Sequence, residues 1–476
     1  MNSEWKLPSR REAQHRTHKQ SEIQRNLFVI PDEMKDFGNH RLFYIRTFGC
    51  QANVRDGETI AGILNEMGYS MTEDIDSADL IILNTCAIRE NAENKVFGEI
   101  GNLKHLKLRK PDLLLAVCGC MMQEEGVVDR ILRKHPHVDL IFGTHNIHNL
   151  PQLVYQASLS KERTVEVYSQ EGDVIENLPV QRFGTSKAWV NIMYGCDKFC
   201  TYCIVPYTRG KERSRLKRDI IDEVRQLQQE GFKEVTLLGQ NVNAYGKDLK
   251  MTDDFAQLLA AVAETGIDRV RFTTSHPWDF SDQMVNVIAT YDNIMPYIHL
   301  PVQSGDNDIL KIMGRRYTVE SYREIYDKLK EVMPGCAFSS DIIVGFPNES
   351  DEQFQRTLDL VDYCHYDNIY TFIYSPREGT PAAKMVDNVS METKKNRLQI
   401  LNERVKKYAL ENNEKYLNQI VDVLVDGPSR KNESIYSGYT DTQKLVNFKV
   451  KNASVNEIIK VKITEAKTFF LIGEEI

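Results

Sequence analysis

The feature that most restricts the fold of this chain is a regular alternation of short apolar runs with longer amphipathic stretches, which begins near residue 41. The apolar runs predict strands over residues 42–46, 80–83, 113–117 and 138–142, and the stretches between them predict helices over residues 57–67, 91–101 and 124–134. Strands that alternate with helices form parallel sheets with helices packed on their faces. The first part of the chain is therefore predicted to be an α/β domain with a doubly wound parallel sheet.

The alternation loosens over residues 145–185, a polar stretch that we interpret as a linker region, and then resumes. Six further strands are predicted over residues 189–193, 234–238, 270–273, 297–300, 338–344 and 369–374, with helices that include residues 253–264, 319–332 and 352–364. Six strand–helix units in succession favour a partial (βα)6 barrel. Ser350 and Gln353 have the spacing of a capping box at the start of the last of these helices.

The end of the chain is richer in β-forming residues. A charged helix is predicted over residues 391–417, strands over residues 420–425, 445–450 and 458–463, and a turn at residues 426–428. A small antiparallel β-barrel fits this pattern. The predicted parts are a mobile basic arm (residues 1–40), the N-terminal domain (41–158), the central barrel (181–412) and the C-terminal barrel (413–476).

Net charge, apolar run lengths and cysteine count exclude several classes of protein. The net charge of -8 argues against a polycation that coats nucleic acid, so any contact with nucleic acid must be local. The N-terminal residues lack the apolar segment of a signal peptide, and no apolar run is long enough for a transmembrane helix. We expect a cytoplasmic, monomeric protein without membrane contact. The 9 cysteines, an odd number at irregular spacing, favour metal or redox chemistry over disulfides.

Three cysteines follow the first three predicted strands. Cys50, Cys86 and Cys120 each come a few residues after the carboxyl end of a strand. Because the loops at that edge of an open α/β sheet line one crevice, we expect these thiols to form a metal site; the alternative is that they fill a core. Cys118 is a second candidate beside Cys120, although the alternation of side chains along a strand favours Cys120 as the residue in the loop.

A second trio, Cys196, Cys200 and Cys203, has the spacing C-x3-C-x2-C directly after the first predicted barrel strand. Three thiolates can hold three irons of a 4Fe–4S cube and leave the fourth iron open. Zinc is the alternative, but a structural zinc site has four protein ligands, and the sequence near the triplet has no fourth Cys or His. The triplet therefore favours an iron–sulfur cluster with an open iron. The remaining cysteines, Cys336 and Cys364, are predicted to lie in the core and to have no metal role.

The triplet, with Tyr202 before its last cysteine and a βα barrel predicted to follow, resembles the radical S-adenosylmethionine (SAM) superfamily. The resemblance implies that SAM binds the open iron and is cleaved by one electron to a 5′-deoxyadenosyl radical, with Tyr202 near the adenine. Residues 237–241 (LLGQN) and 342–347 (IIVGFP) resemble two further SAM-binding segments of that superfamily. The SAM contacts implied in them are Gly239, Gln240 and Gly345.

Three other segments narrow the resemblance to the methylthiotransferases, over nearly the whole chain from about residue 41. Residues 47–53 (TFGCQAN), 84–86 (NTC) and 119–123 (GCMMQ) resemble the segments that hold the auxiliary cluster in that family, which supports Cys120 over Cys118. The resemblance implies a second 4Fe–4S cluster, on Cys50, Cys86 and Cys120, that carries the sulfur in transit. The C-terminal barrel resembles the RNA-binding TRAM module.

The resemblance also implies a substrate. Residues 87–95 and 299–305 are closest to the branch of the family that methylthiolates C2 of a dimethylallyl-modified adenosine in the tRNA anticodon loop. One SAM donates the methyl group, a second supplies the radical, and an electron donor and a sulfur donor are implied as partners. The target base must leave its stack, which costs least in a single-stranded loop.

Basic residues near the active site are the candidate tRNA contacts. A run of basic residues follows the triplet and fits either a substrate contact or a solvated helix start: Arg209, Lys211, Arg213, Arg215, Lys217 and Arg218. The other candidates are Arg315, Arg316, Arg430 and Lys431.

Two alternatives to this function remain open. One is methylthiolation of a different substrate, either a threonylcarbamoyl-modified adenosine of tRNA or an aspartate of a ribosomal protein. The other is a non-enzymatic iron–sulfur protein that binds RNA, against which the open iron position of the triplet argues.

Overall fold

The computed structural model of the chain describes residues 8–17, 22–24, 28–87, 90–124, 126–160, 162–168, 171–249, 254–429 and 432–476. The chain divides into two compact units. The first consists of Met1–Phe183, Met193–Arg215 and Pro376–Ala383, and the second of Gly184–Ile192, Leu216–Ser375 and Lys384–Ile476. In the described ranges, no helix is both long enough and apolar enough to span a membrane.

The first half of the chain forms these elements in order: α1 (Arg10–Arg16), β1 (Ile23–Gln24), α2 (Asp32–Lys35), β2 (Leu42–Thr47), α3 (Gln51–Glu66), β3 (Ser70–Met71), β4 (Leu80–Thr85), α4 (Glu90–Arg109), β5 (Leu114–Gly119), α5 (Val127–Lys134), β6 (Leu140–Phe142), α6 (Leu150–Leu159), β7 (Thr164–Glu166), β8 (Val174–Ile175), β9 (Lys187–Asn191), β10 (Met193–Tyr194), α7 (Val205–Thr208), β11 (Arg213–Ser214), α8 (Lys217–Gln229) and β12 (Glu234–Leu238).

The second half continues with α9 (Asp254–Ala263), β13 (Arg269–Phe272), α10 (Asp282–Thr290), β14 (Tyr297–His299), α11 (Asn307–Ile312), α12 (Val319–Val332), β15 (Ala337–Val344), α13 (Asp351–Cys364), β16 (Asn368–Ile373), α14 (Met391–Glu414), β17 (Ile420–Ser429), β18 (Asn432–Thr440), β19 (Leu445–Lys449), β20 (Ile458–Ala466) and β21 (Leu471–Glu475). Short 3₁₀ turns lie at Cys120–Gln123, Ile147–Asn149, Val242–Ala244, Lys247–Leu249, Pro277–Asp279 and Ala382–Lys384.

The first unit is built on a parallel sheet with the strand order β3-β2-β4-β5-β6-β7. Its two faces bury separate apolar clusters. Leu80 and Ile82 of β4 pack with residues of α3 and α6, whereas Ile81 and Leu83 pack with residues of α4 and α5. A strand that is buried on both faces needs apolar side chains at successive positions, and residues 80–83 of β4 are all apolar. The predicted doubly wound sheet is confirmed.

Two details of this unit differ from the sequence pattern. Helix α3 begins at Gln51, whereas the pattern predicts a start at Gly57. Position 57 lies inside the helix, and a glycine fits there because an added β-carbon would lie 2.8 Å from the Thr47 hydroxyl of β2. The stretch interpreted as a linker region also contributes strand β7, which extends the sheet beside β6.

Parts of the segment predicted as a mobile arm have secondary structure. Ser9 and Glu12 form a capping box for α1, and Ala13 of that helix is buried. Strand β1 pairs in parallel with β8. The mobility of this arm stays a prediction.

The second unit contains the predicted partial (βα)6 barrel, which is confirmed. Strands β9, β12 and β13 form one parallel sheet and β14, β15 and β16 another, and a parallel bridge between Val270 and Ile294 adds a contact beside β13. The capping box predicted at Ser350 and Gln353 begins α13.

The C-terminal strands close into a five-stranded barrel with the order β17-β18-β19-β21-β20. One pairing, between β19 and β21, is parallel, because β21 returns from β20 and closes the barrel against β19. The turn predicted at residues 426–428 is wrong. These residues lie within β17, where the pairing with β18 shifts between Val425 and Gly427, so the glycine serves a bulge.

Two helix glycines of the first unit provide a test of the packing. A β-carbon at Gly62 of α3 would lie 2.5 Å from the Pro179 carbonyl oxygen, a backbone atom that cannot turn away. We expect Gly62→Ala to destabilise the unit by about 1–3 kcal/mol through overpacking, despite the ~1 kcal/mol that alanine gains over glycine in a helix.

Gly101→Ala in α4 is the matched control, because nothing lies within 4 Å of its β-carbon position. It should stabilise the protein by roughly 1 kcal/mol. Urea unfolding of the metal-free protein, followed by circular dichroism, measures both changes. A stabilising Gly62→Ala would contradict the close contact with Pro179.

Candidate metal centres and their surroundings

The structure brings Cys50, Cys86 and Cys120 to the carboxyl ends of β2, β4 and β5. Cys50 precedes the first turn of α3, and Cys120 opens a 3₁₀ turn after β5. A hydrogen bond with the Cys86 side chain lowers the pKa of Cys50 to about 6. Gly49 has a φ of +116°, and a β-carbon there would overlap the Cys86 side chain. The close approach of these two loops therefore depends on a glycine.

Asn53, which is fully buried, ties the three cysteine segments together. Its carboxamide oxygen lies 3.7 Å from the Cys50 sulfur and 3.5 Å from the Cys120 sulfur. Its amide nitrogen donates to the carbonyls of Phe48 and Thr85 at 3.2 and 2.6 Å. The sequence pattern assigned Asn53 no role of its own within the segment TFGCQAN. Its position three residues after Cys50, in the first turn of α3, is the feature that could have indicated this role.

Cys118 and Cys120 have different surroundings. Cys118 is part of β5 and packs in the apolar cluster that contains Ile82 and Phe142. Cys120 lies beside Asn53 and Arg209. Burial raises the pKa of Cys120 to about 12, and the charge of Arg209 opposes that shift. Of the two cysteines, Cys120 is the one that shares Asn53 with Cys50.

The second trio lies in the loop between β10 and α7. The Cys203 amide donates to the Cys200 carbonyl at 3.0 Å, and the Cys196 amide donates to the Gly210 carbonyl at 3.1 Å. Burial raises the pKa of Cys196, and the neighbouring Glu212, Cys203 and Cys200 raise it further. The loop therefore holds its three thiols near one another. Tyr202, the residue implied to lie near the adenine of SAM, is half-buried in this loop.

The donor set of each trio consists of soft sulfur atoms, which suits an iron–sulfur cluster. Within the described ranges, no three His, Cys, Asp or Glu side chains converge on a single metal ion. A 4Fe–4S cube makes a different demand, since each thiolate binds its own iron. All nine cysteines are described, and none forms a disulfide.

The basic run after the triplet divides in two. Lys217 and the exposed Arg218 begin helix α8, as predicted for a solvated helix start, whereas three of the earlier arginines fit neither alternative. Arg209, Arg213 and Arg215 are buried, so these three neither contact a substrate at the surface nor begin a solvated helix. Arg215 pairs with Glu176 at 2.8 Å, and Arg209 pairs with Asp56 at 2.6 Å. Their acidic partners are distant in sequence, which is why spacing could not reveal them.

The implied SAM contacts of the second unit follow two of its barrel strands. Gly239 and Gln240 come directly after β12, and the Gly239 carbonyl accepts a hydrogen bond from the Thr274 hydroxyl. Gly345 follows β15, has a φ of +69°, and donates its amide to Glu349 at 2.7 Å. That backbone conformation alone accounts for a glycine at position 345, so its contact with SAM stays a prediction.

Two of the predicted tRNA contacts are described, and they differ. Arg315 is buried and donates to the Pro301 carbonyl at 2.8 Å. Arg316 is exposed, and its guanidinium lies 4.8 Å from the centre of the Trp278 ring. Trp278, which the sequence pattern missed, is 42% exposed. Arg430 and Lys431 lie outside the described residues.

Comparison with known proteins assigns three regions. Residues 42–143 match the family described as Uncharacterized protein family UPF0004, residues 190–361 match the Radical SAM superfamily, and residues 414–476 match the TRAM domain.

Solved structures show the fold that the chain shares. The radical S-adenosylmethionine methyltransferase TsrM from Kitasatospora setae, with its tryptophan substrate and a SAM analog, has a TM-score of 0.53 at 13% identity, over 72% of this chain and 75% of that chain. TsrM with cobalamin and a [4Fe-4S] cluster has a TM-score of 0.51 at 12% identity, over 72% of this chain and 77% of that chain.

Curated relatives are much closer in sequence. The tRNA-2-methylthio-N(6)-dimethylallyladenosine synthases of Staphylococcus epidermidis and Staphylococcus aureus (strain MRSA252) are each 57% identical over 467 residues, which is 98% of this chain and 91% of the relative. The resemblance to the methylthiotransferases is thereby confirmed. The chain belongs to the family of the tRNA-2-methylthio-N(6)-dimethylallyladenosine synthases.

Proposed function

We propose that this protein methylthiolates C2 of a dimethylallyl-modified adenosine beside the tRNA anticodon and uses two SAM molecules per turnover. The observation that carries the proposal is the presence of two cysteine trios within one unit. Radical chemistry alone needs one trio, whereas delivery of a sulfur atom needs a second site that can hold it. The identity of the family supplies the substrate and leaves the alternative substrates and the non-enzymatic function without support.

Two 4Fe–4S clusters fit the trios, one on Cys50, Cys86 and Cys120 and one on Cys196, Cys200 and Cys203. Three thiolates per cube leave one iron for a ligand that the protein does not supply. With SAM bound, such a cluster would supply the electron that cleaves SAM to a radical. A radical is needed because no side-chain acid or base is strong enough to activate an aromatic C–H bond. Tyr202, Gly239, Gln240 and Gly345 are the proposed SAM contacts.

Apolar residues cover Cys120 of the first trio. Ala13, Ala87, Phe199 and Ile204 form a small apolar cluster with Cys120. A dry site protects reactive intermediates from side reactions. Helix α1 supplies Ala13, so part of the predicted arm contributes to this cover.

Cysteine variants should separate the two trios. Changing Cys50, Cys86 or Cys120 to Ala should leave reductive SAM cleavage measurable and abolish methylthiolation, because the radical site stays intact. Changing Cys196, Cys200 or Cys203 to Ala should abolish both. Liquid chromatography of 5′-deoxyadenosine and of the modified nucleoside, with anaerobically reconstituted protein, measures the two reactions.

Cys118→Ala is the matched control for Cys120→Ala, because both thiols are buried and they are two residues apart. It should retain methylthiolation. Full methylthiolation by Cys120→Ala, with loss in Cys118→Ala, would assign the ligand to Cys118.

The proposed substrate can be identified in cells. In tRNA from a strain that lacks the gene, we expect the dimethylallyl-modified adenosine to lack its methylthio group and the threonylcarbamoyl-type methylthio mark to persist. A plasmid copy should restore the missing group. Nucleoside mass spectrometry measures both marks, and loss of the threonylcarbamoyl-type mark alone would refute the proposed substrate.

Trp278 and Arg316 are the proposed tRNA contacts of the barrel. Trp278 follows β13, and Arg316 lies between α11 and α12, in the connection that leaves the carboxyl end of β14. An exposed aromatic ring can stack on an unpaired base, and an arginine beside it can pair with a phosphate. We also propose a cytoplasmic location, which a tRNA substrate and the free cysteines support.

Trp278→Ala should weaken tRNA binding by about 1–3 kcal/mol, the usual contribution of one base stacked on an aromatic ring. Arg316→Ala should weaken binding and lower the salt dependence of affinity by about one ion. Fluorescence anisotropy with an anticodon stem-loop at several salt concentrations measures both effects.

A second arginine–aromatic pair serves as the control. The Arg323 guanidinium lies 4.5 Å from the ring centre of Tyr363, in a contact between helices α12 and α13. Tyr363→Ala should leave the affinity for the stem-loop unchanged. Equal losses in Trp278→Ala and Tyr363→Ala would argue against a specific contact at Trp278.

A further inference from the structure

Arg209 is a cation that contacts Cys120 of the first cysteine trio. In its guanidinium, Nη2 donates to Asp56 at 2.6 Å and to Asn53 at 2.9 Å, and Nε donates to the Cys120 sulfur at 3.0 Å. The side chains of Arg209 and Asp56 are 8% and 10% exposed. A guanidinium keeps its charge at any physiological pH, so a permanent positive charge lies against one of the proposed ligands.

The position of this guanidinium is fixed from several sides. The Arg209 amide donates to the Val205 carbonyl at 2.8 Å, and the Arg209 carbonyl accepts from Arg213 at 3.1 Å. Asp56 compensates the cost of burying the charge, since buried charges are tolerated only when they are paired. With Nη2 engaged by Asp56 and Asn53, the Nε proton points to sulfur.

A pairing with Asp56 alone would not require the contact with Cys120. The arginine comes from the segment that follows the second trio, six residues after Cys203, while Asn53 and Asp56 come from α3. One residue therefore connects the segment of one proposed cluster to a ligand of the other.

We propose that Arg209 is a positioning residue for the proposed auxiliary cluster, in which its guanidinium donates a hydrogen bond to the Cys120 sulfur and favours the more reduced state of the cluster. Hydrogen bonds to ligand sulfurs and nearby charge are among the factors that set cluster reduction potentials. The inference rests on the proposed function, because it requires a cluster on Cys50, Cys86 and Cys120.

The test uses the full chain with Cys196, Cys200 and Cys203 changed to Ala, so that any cluster present is the auxiliary one. After anaerobic reconstitution, iron and sulfide per chain report assembly, and a redox titration followed by electron paramagnetic resonance reports the midpoint potential. Arg209→Gln should bind iron and show a more negative midpoint with an altered spectrum. Arg209→Lys, which keeps the charge, should lie between Arg209→Gln and the parent.

Arg215→Gln is the matched control, because Arg215 lies in the same segment and forms a comparable buried ion pair, with Glu176. It should lose as much thermal stability as Arg209→Gln but keep the parent midpoint and spectrum. A purely structural role for Arg209 predicts that the two variants behave alike.

The outcomes separate this inference from the proposed function. If Arg209→Gln contains a cluster with the parent midpoint potential and spectrum, the role of Arg209 is overturned and the proposed function is unaffected. The same conclusion follows if Arg209→Gln and Arg215→Gln lose iron equally and the remaining cluster keeps the parent midpoint. If the parent chain binds no iron, the auxiliary site itself is overturned, and the role of Arg209 with it.

Discussion

The parallel register of β2, β4 and β5 is the constraint on which the proposed site of Cys50, Cys86 and Cys120 depends. Thr47 pairs with Asn84, and Thr85 pairs with Gly119, so the three strands end at the same level. Parallel strands present all their carboxyl ends at one edge, and the loops that follow them must meet there. A slip of register in any of these strands would separate the thiols, and the apolar clusters on both sheet faces resist such a slip.

Hydrogen bonds between buried polar groups then fix the positions of the loops at that edge. Asn53 satisfies carbonyls from two cysteine segments, and Arg209 with Asp56 places a neutralised ion pair against the same asparagine. Each of these groups would be costly to bury without its partners. The polar network therefore holds the cysteine segments in one arrangement.

The barrel of the second unit places different chemistry at its strand ends. Glycines follow β12 and β15, and an exposed tryptophan with a stacked arginine occupies the next loops. This division agrees with the family to which the chain belongs, because a radical source, a sulfur carrier and an RNA surface make different demands. The cysteines of both trios are buried or half-buried, whereas Trp278 and Arg316 are exposed.

The sequence by itself determined the strand–helix alternation, the barrel class of the central region, and the placement of Cys50, Cys86 and Cys120 after three successive strands. These features are periodic or follow from chain order, so local patterns suffice to reveal them. The sequence could not reveal the bulge at Gly427, because a bulge is defined by the pairing of two strands. It also could not explain the glycine at position 57, because the contact that requires it is with Thr47 of β2.

The tertiary structure alone decided the role of the buried arginines in the basic run after the triplet. Arg209 and Arg215 look like surface cations in the sequence, but their partners Asp56 and Glu176 lie far away along the chain. Spacing predicts contacts within one helix or along one strand edge, whereas a buried ion pair between distant segments exists only when folding brings both charges out of water together. For that reason the contact between Arg209 and Cys120 could be found only in the folded chain.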